Sequence, residues 1–492
     1  MLEIVEQKRQ EVSRKLDPEL KSSLGQFMTP APVASFMAGL FTNLSCKKIK
    51  LLDAGAGMGS LTFAFLERWD SEKNKTAKVI IDAYEVDDAL STCLSENLRD
   101  YKKKSFKNSV NYQVINEDFI IDSARISWKP EFASYTHAIL NPPYKKINSD
   151  SEHRTTLRSM GIETVNLYSA FVEVAINRMM PGGELVVIIP RSFCNGPYYK
   201  PFRKALLKKT AIKTIHLFDS RRKTFKDDGV LQENVILYLV KGDISKDILV
   251  STSTDSSFID RHSFKCNIKQ IVNPTDEDQF IRVPASKMES AFESSESIKC
   301  GLKEIGVEVS TGPVVDFRSK ENIHKMPLKG DAPLLYPAHF EGFFVKWPRE
   351  NIRKANAIAV MDETKKMLFP KGYYVLIKRF SPKEEKKRIC AVLLSPEDVH
   401  AESYGFENHL NVFHSQKNGL DEDLARGLMV FLNSSEVDVH FREFNGHTQV
   451  NATDLRSMKY PSADVLKILG KKAKPNGTVE QGKIDEMVKG IL

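Results

Sequence analysis

Between Leu51 and Lys241 the chain alternates short apolar runs with amphipathic stretches. That rhythm is the pattern of a doubly wound α/β sheet, because strands buried on both faces need continuous apolar residues and each crossover needs a one-sided helix. The expected strands are Lys50–Leu52, Val79–Tyr84, Tyr112–Ile115, His137–Leu140, Glu184–Ile189, Thr214–Phe218 and Val235–Val240. The expected helices include Leu61–Trp69, Ala89–Tyr101, Leu167–Met180 and Lys200–Lys208, and Pro181-Gly182-Gly183 reads as a helix stop followed by a turn. A chain of 492 residues is long for one core. After Gly242 the composition turns polar, notably over Ser251–Ser257, so the domain boundary is placed there: 1–245 for the α/β domain and 246–492 for the second. Lys471–Gly477 reads as a link to a last short helix.

The net charge of +8 suits a polyanionic partner, but an excess of that size over this length decides nothing alone. The six cysteines are scattered, with neither a CxxC pair nor histidines at zinc-ligand spacing, so reduced thiols and no metal are expected. The amino terminus, MLEIVEQKRQEVSRKL, carries charge at helical spacing and lacks the apolar run of a signal peptide. No segment approaches the length of a membrane span. A soluble, cytoplasmic protein is expected.

Asp53-Ala-Gly-Ala-Gly-Met-Gly59 follows an apolar strand and precedes a helix. Glycines 55, 57 and 59 permit a tight turn and close approach to a ligand, although such a loop alone is also an ordinary strand-to-helix turn. One strand-helix-strand unit later, Glu85-Val86 ends the next strand, where a carboxylate suits two ribose hydroxyls. The third strand leads into Asn116-Glu117-Asp118-Phe119. Here Asp118 either accepts a hydrogen bond from an adenine amino group or caps a helix, and Phe119 can pack on the ring.

Asn141-Pro142-Pro143-Tyr144 directly follows the apolar strand His137–Leu140. Two prolines remove two backbone donors and hold the chain extended, leaving carbonyl oxygens free to accept. An amino group conjugated to an aromatic ring is a poor nucleophile because its lone pair is delocalised. If the Asn141 side-chain oxygen and the Pro142 carbonyl each accept one N–H, the nitrogen can pyramidalise and attack an electrophilic methyl carbon. Tyr144 can stack on the base and hold it in line.

From these residues the chain resembles the N6-adenine DNA methyltransferases of the gamma arrangement, the TaqI-like and Eco57I-like enzymes. The resemblance implies a Rossmann-like S-adenosylmethionine-dependent domain followed by a mixed α+β target recognition domain. It also implies that Gly25-Gln26-Phe27-Met28-Thr29-Pro30 folds over the cofactor through Gln26, Thr29 and Pro30. Asp53, Gly55, Gly57, Glu85, Val86, Asp118 and Phe119 become cofactor contacts, and Phe171 in Asn166-Leu-Tyr-Ser-Ala-Phe171 lines the same pocket. Asn141, Pro142, Pro143 and Tyr144 become the catalytic set. Phe225 is the candidate for a second aromatic against the flipped base, or a loop residue closing the domain edge.

In the second half Ser310–Arg318, Pro333–His339 and Phe444–Leu455 resemble segments of recognition domains. Arg318, Arg442, His447 and Gln449 have the donors for bases or phosphates, yet each also reads as an ordinary surface residue. This half looks most like that of PstI/BsuBI-type enzymes, whose site is CTGCAG. The implied partners are double-stranded DNA and a cognate restriction endonuclease encoded apart from this chain, which is expected to act as a monomer. Two other functions stay open at this point: NPPY chemistry on RNA or a protein glutamine, and a DNA-binding module whose catalytic site has decayed.

Overall fold

A computed structural model describes residues 1–15, 28–46, 48–72, 78–104, 109–126, 133–218, 233–274, 276–284, 295, 297–381, 385–445, 449–473 and 480–491. Gln26, Phe225 and His447 lie outside them. The chain forms two units, Met1–Lys287 and Met288–Leu492.

The first unit is built on nine strands: β1 (Ile49–Ala54), β2 (Val79–Tyr84), β3 (Val110–Ile115), β4 (Tyr135–Leu140), β5 (Met179–Pro190), β6 (Thr210–Phe218), β7 (Asn234–Lys241), β8 (Asp247–Ser253) and β9 (His262–Asn267). Their order in the sheet is β3-β2-β1-β4-β5-β7-β6-β8-β9. β1 pairs in parallel with both β2 and β4, and β7 runs antiparallel between β5 and β6. Successive strand residues face opposite sides, so Leu51, Ile139 and Val186 join one core while Leu52, Leu140 and Val187 join the other. Helices α1 (Leu2–Lys15), α2 (Ala31–Gly39), α3 (Ser60–Ser71) and α4 (Asp88–Lys104) contribute to the first core. Helices α5 (Phe119–Arg125), α6 (Glu152–Ser159), α7 (Leu167–Arg178) and α8 (Lys200–Lys209) contribute to the second.

All the expected strands and helices form, with three departures. Pro181-Gly182-Gly183 is not a turn before β5 but a bulge within it: Tyr135 pairs with Met179 and His137 with Glu184, so extra residues loop out of the ladder. Gly182 takes up the strain with φ +77°. The boundary expected at 245/246 is also displaced, because β8 pairs in parallel with β6 and β9 pairs with β8. These two strands end the sheet, and β9, its edge, carries polar and charged residues that read as loop in sequence. Finally, Lys471–Ala473 are not a linker but close the helix Ala463–Ala473, where cations suit the negative end of the helix dipole.

The second unit is mixed α+β, with six-stranded and five-stranded sheets and a helical layer. Its helices Glu422–Leu432 and Ala463–Ala473 cross at two glycines. A Cβ on Gly427 would lie 1.7 Å from the Leu466 carbonyl oxygen, and one on Gly470 would lie 1.9 Å from that of Asp423. Backbone cannot retreat as a flexible side chain can. Gly427→Ala is therefore expected to destabilise this unit by about 3 kcal/mol through overpacking, read as a lowered denaturant midpoint. An unchanged midpoint would contradict the close crossing. Among the described residues no helix is long and apolar enough to cross a membrane.

Candidate active site

Four loops meet at the carboxyl edge of the sheet because β1, β2, β3 and β4 all run the same way. The connections from β1 and β4 leave in opposite directions, which opens a crevice between them. There the structure holds a cavity of 330 Å³. It is lined by Thr29, Gly55, Gly57, Glu85, Val86, Asp118, Phe119, Asn141, Pro143 and Phe171, bringing together residues first singled out 142 positions apart in sequence (171 − 29).

The glycine loop is held from the next strand. Gly55 N and Ala56 N donate to the Tyr84 carbonyl at 3.0 and 2.9 Å, and Gly57 N donates to Glu85 Oε2 at 2.8 Å. Gly55, Gly57 and Gly59 all have positive φ, and a Cβ on Gly59 would stand 2.7 Å from Leu94 Cδ1. Glu85 Oε1 accepts from Asp87 N at 3.0 Å. Burial pushes the Glu85 carboxyl above its usual range, with these backbone donors opposing the rise.

Asp118 is the helix cap that its position allowed, and it also lines the cavity. Its Oδ1 caps α5, accepting from Ile120 N at 2.9 Å and Ile121 N at 3.0 Å, while its Oδ2 faces His153 Nε2 at 2.8 Å. Burial alone would raise the Asp118 carboxyl, but the His153 hydrogen bond and these amides outweigh it and hold it below its usual range. The same hydrogen bond raises the His153 imidazole against its partial burial. Phe119 packs on Tyr84 and, with ring centres 5.3 Å apart, on Phe171 of α7.

Asn141 leaves the end of β4 with its amide fixed on both sides. Its Nδ2 donates to Thr29 Oγ1 at 3.0 Å, and its Oδ1 accepts from the Tyr144 hydroxyl at 3.0 Å. That hydroxyl also lies 3.3 Å from the Ile188 carbonyl. Burial raises the Tyr144 phenol far above its ordinary value, so it stays protonated and donates. Pro142 is buried behind this corner, and Pro30 precedes α2 as its N-cap residue.

Two expectations, those for Asp53 and Arg442, are revised. Asp53 does not line the cavity: its carboxyl is fully buried behind the loop, where Oδ2 accepts from Thr62 Oγ1 at 2.6 Å. Arg442 is engaged within the fold, with Nε 2.6 Å from Asp438 Oδ2 and a donor to the Glu385 carbonyl at 2.9 Å. Arg318 is exposed, its guanidinium 5.5 Å from the Phe317 ring, and Gln449 forms an isolated backbone bridge with Phe380. Asp454, within the segment Phe444–Leu455, is the third residue of the helix Ala452–Ser457 and accepts from Asn451 N at 3.0 Å. Sequence reasoning missed His153 and Lys145, which line the cavity. Lys145 directly follows the NPPY tetrapeptide, which was a usable signal. His153 sits on α6 in an excursion closed at its base by the Lys146–Asn166 bridge, and no spacing pointed to it.

This order, with an antiparallel β7 beside β5 and the cavity beyond β1 and β4, is the Rossmann-like fold of class I methyltransferases. The structure of a DrdV–DNA complex shares the fold over 93% of this chain and 58% of that one, with a TM-score of 0.52 at 12% identity. Residues 41–225 match the Eco57I restriction-modification methylase family. The sequence is 49% identical to the type II methyltransferase M.BsuBI of Bacillus subtilis over 100% of this chain and 98% of that protein. It is 40% identical to M.PstI of Providencia stuartii over 99% and 97%. The chain belongs to the type II restriction-modification methyltransferases, the family of M.BsuBI and M.PstI.

Burial, and secondarily the charge of Glu85, push the Asp53 carboxyl up to about 7, against the opposing hydrogen bond from Thr62. A carboxyl raised in the folded state adds stability at low pH and loses it as pH climbs through the folded value. The stability gain of Asp53→Asn over the parent should therefore grow between pH 5 and about 7 and level off above that. Thermal midpoints measured across this range test it, and a difference independent of pH would contradict it.

Proposed function

We propose that this protein is a site-specific DNA adenine-N6 methyltransferase, acting on an adenine rotated out of duplex DNA as the modification component of a restriction-modification system. What carries the reading is Asn141: its side-chain amide is fixed between Thr29 and Tyr144 at the wall of the cavity.

The lining suits S-adenosylmethionine. Glu85 keeps a lone pair on each oxygen for ribose hydroxyls, Asp118 Oδ2 suits the adenine amino group, and Phe119 and Phe171 provide apolar ring faces. When bound, the cofactor supplies an electrophilic sulfonium methyl. The chain's own residues prepare the nucleophile. Tyr144 leaves the Asn141 oxygen and stacks on the extruded base, and Asn141 Oδ1 and the Pro142 carbonyl then accept the two N–H bonds of the amino group. Withdrawing those hydrogens from the ring plane would return the lone pair to nitrogen, so that its bond to the methyl carbon could form as the methyl–sulfur bond breaks, with the cofactor leaving as the neutral thioether S-adenosylhomocysteine and the displaced N–H proton passing to water. No general base of shifted pKa is needed. Extrusion costs a few kcal/mol, recovered by stacking and hydrogen bonds. Residues 288–492 supply sequence recognition, and a separate endonuclease is the functional partner.

Incubation with tritiated S-adenosylmethionine and hypomethylated duplex DNA, followed by digestion to nucleosides, should place label in N6-methyladenine. CTGCAG is the first duplex to supply, and long-read mapping of modified DNA identifies the site independently. Label in cytosine, in RNA or in protein alone would overturn the proposal. Asn141→Ala should lower methyl transfer by about 100-fold or more, the scale of losing one positioned polar contact to the reacting centre, with cofactor affinity held within about threefold. A variant as active as the parent would remove Asn141 from the chemistry.

A further inference from the structure

In the second unit, segments distant in sequence surround a recess of 250 Å³. Tyr336, Pro337, Lys354, Phe380 and His409 are among the residues that line it. Phe380 is 46% exposed, large for an aromatic side chain with no solvent role. Its ring lies 5.2 Å from that of His409 and is tilted 39° to it, so the Phe380 face is presented beside the His409 ring. The His409 ring is oriented from behind. Glu407, fully buried, meets His409 Nδ1 at 2.5 Å and accepts from its backbone N at 2.9 Å, which leaves Nε2 as the nitrogen on offer.

Tyr336 is the second, independent observation. It is 1% exposed, and its hydroxyl has no hydrogen-bond partner among the described residues. A buried donor without a partner costs stability, so its retention calls for a ligand acceptor or another compensating gain. Burial holds the phenol in its protonated, donating form. Lys354 lies across the ring, 5.2 Å from its centre, and is a flexible cover. Lys354 Nζ also bonds Asp316 Oδ2 at 2.8 Å, which ties the recess to the neighbouring exposed Phe317–Arg318 pair.

An exposed aromatic face with an imidazole and a phenol hydroxyl in the same lining fits a planar heterocycle whose rim carries acceptors. Resting on the proposal that the protein acts on duplex DNA, we infer that this recess seats a nucleobase of the recognition sequence. The base stacks on Phe380, Lys354 swings toward the phosphates, and the Tyr336 hydroxyl and His409 Nε2 read the base edge. Stacking supplies affinity, and the edge contacts supply selectivity.

The test is fluorescence anisotropy with the full chain, using the duplex found modified by the mapping above and a scrambled duplex. Affinity for S-adenosylhomocysteine reports the integrity of the first unit. Phe380→Ala should weaken binding of the modified-sequence duplex by about tenfold. Tyr336→Phe should shrink the preference for that duplex over the scrambled one by about tenfold while its unfolding midpoint stays equal to the parent's or rises, because a lone buried hydroxyl is removed. A merely structural tyrosine would lower the midpoint and leave the preference intact. Parent-like affinity and preference in both folded variants would overturn the inference alone. Absence of any duplex binding by the parent would instead overturn the DNA reading, and the inference with it.

Discussion

Everything at the candidate active site follows from one strand having two parallel neighbours. β1 lies between β2 and β4, so the chain crosses over one face on its way outward and the other on its way back. Polar loops from four strands are then delivered to one edge without any of them having to cross the core. The hydrogen bond from Asn141 Nδ2 to Thr29 Oγ1 adds a fifth piece, drawing the segment before α2 against the end of β4. Local sequence builds each loop, but only the crossover pattern makes them neighbours.

Three acids in this region show how burial and partners set charge. Asp53, enclosed behind the loop with one hydroxyl partner, is pushed toward neutrality. Glu85 shares the burial but gains backbone donors on both oxygens, and its rise is partly offset. Asp118, with two helix amides and an imidazole, stays charged. Chemically identical groups thus serve as a packing element, a loop anchor and a helix cap that still offers an oxygen to the cavity.

Much of this was legible in sequence, for reasons that can be named. Asn141 and Glu85 stood out because an apolar run ended immediately before each, and a parallel strand ends where a crevice begins. Asp53 misled because it sits within the glycine motif, yet it belongs to β1, where alternation turns its side chain away from the cavity. β9 was hidden because an edge strand needs little apolar sequence, and β8 because its apolar run is short and gives way to Ser251-Thr252-Ser253. Arg442 carried an overlooked clue: Asp438 lies four residues earlier on the same helix, the spacing of an intrahelical ion pair. His153 had no such clue, since its position depends on where an irregular excursion returns.

The hydrogen bond between Tyr144 and Asn141 has a consequence for selectivity. An acceptor left open to solvent would be satisfied by any passing water. An amide oxygen carries two lone pairs, so one held by an internal phenol is oriented in advance rather than closed to a ligand. On the proposed chemistry a ligand's N–H would have to arrive along the direction that this orientation leaves, and the corner would select by angle of approach.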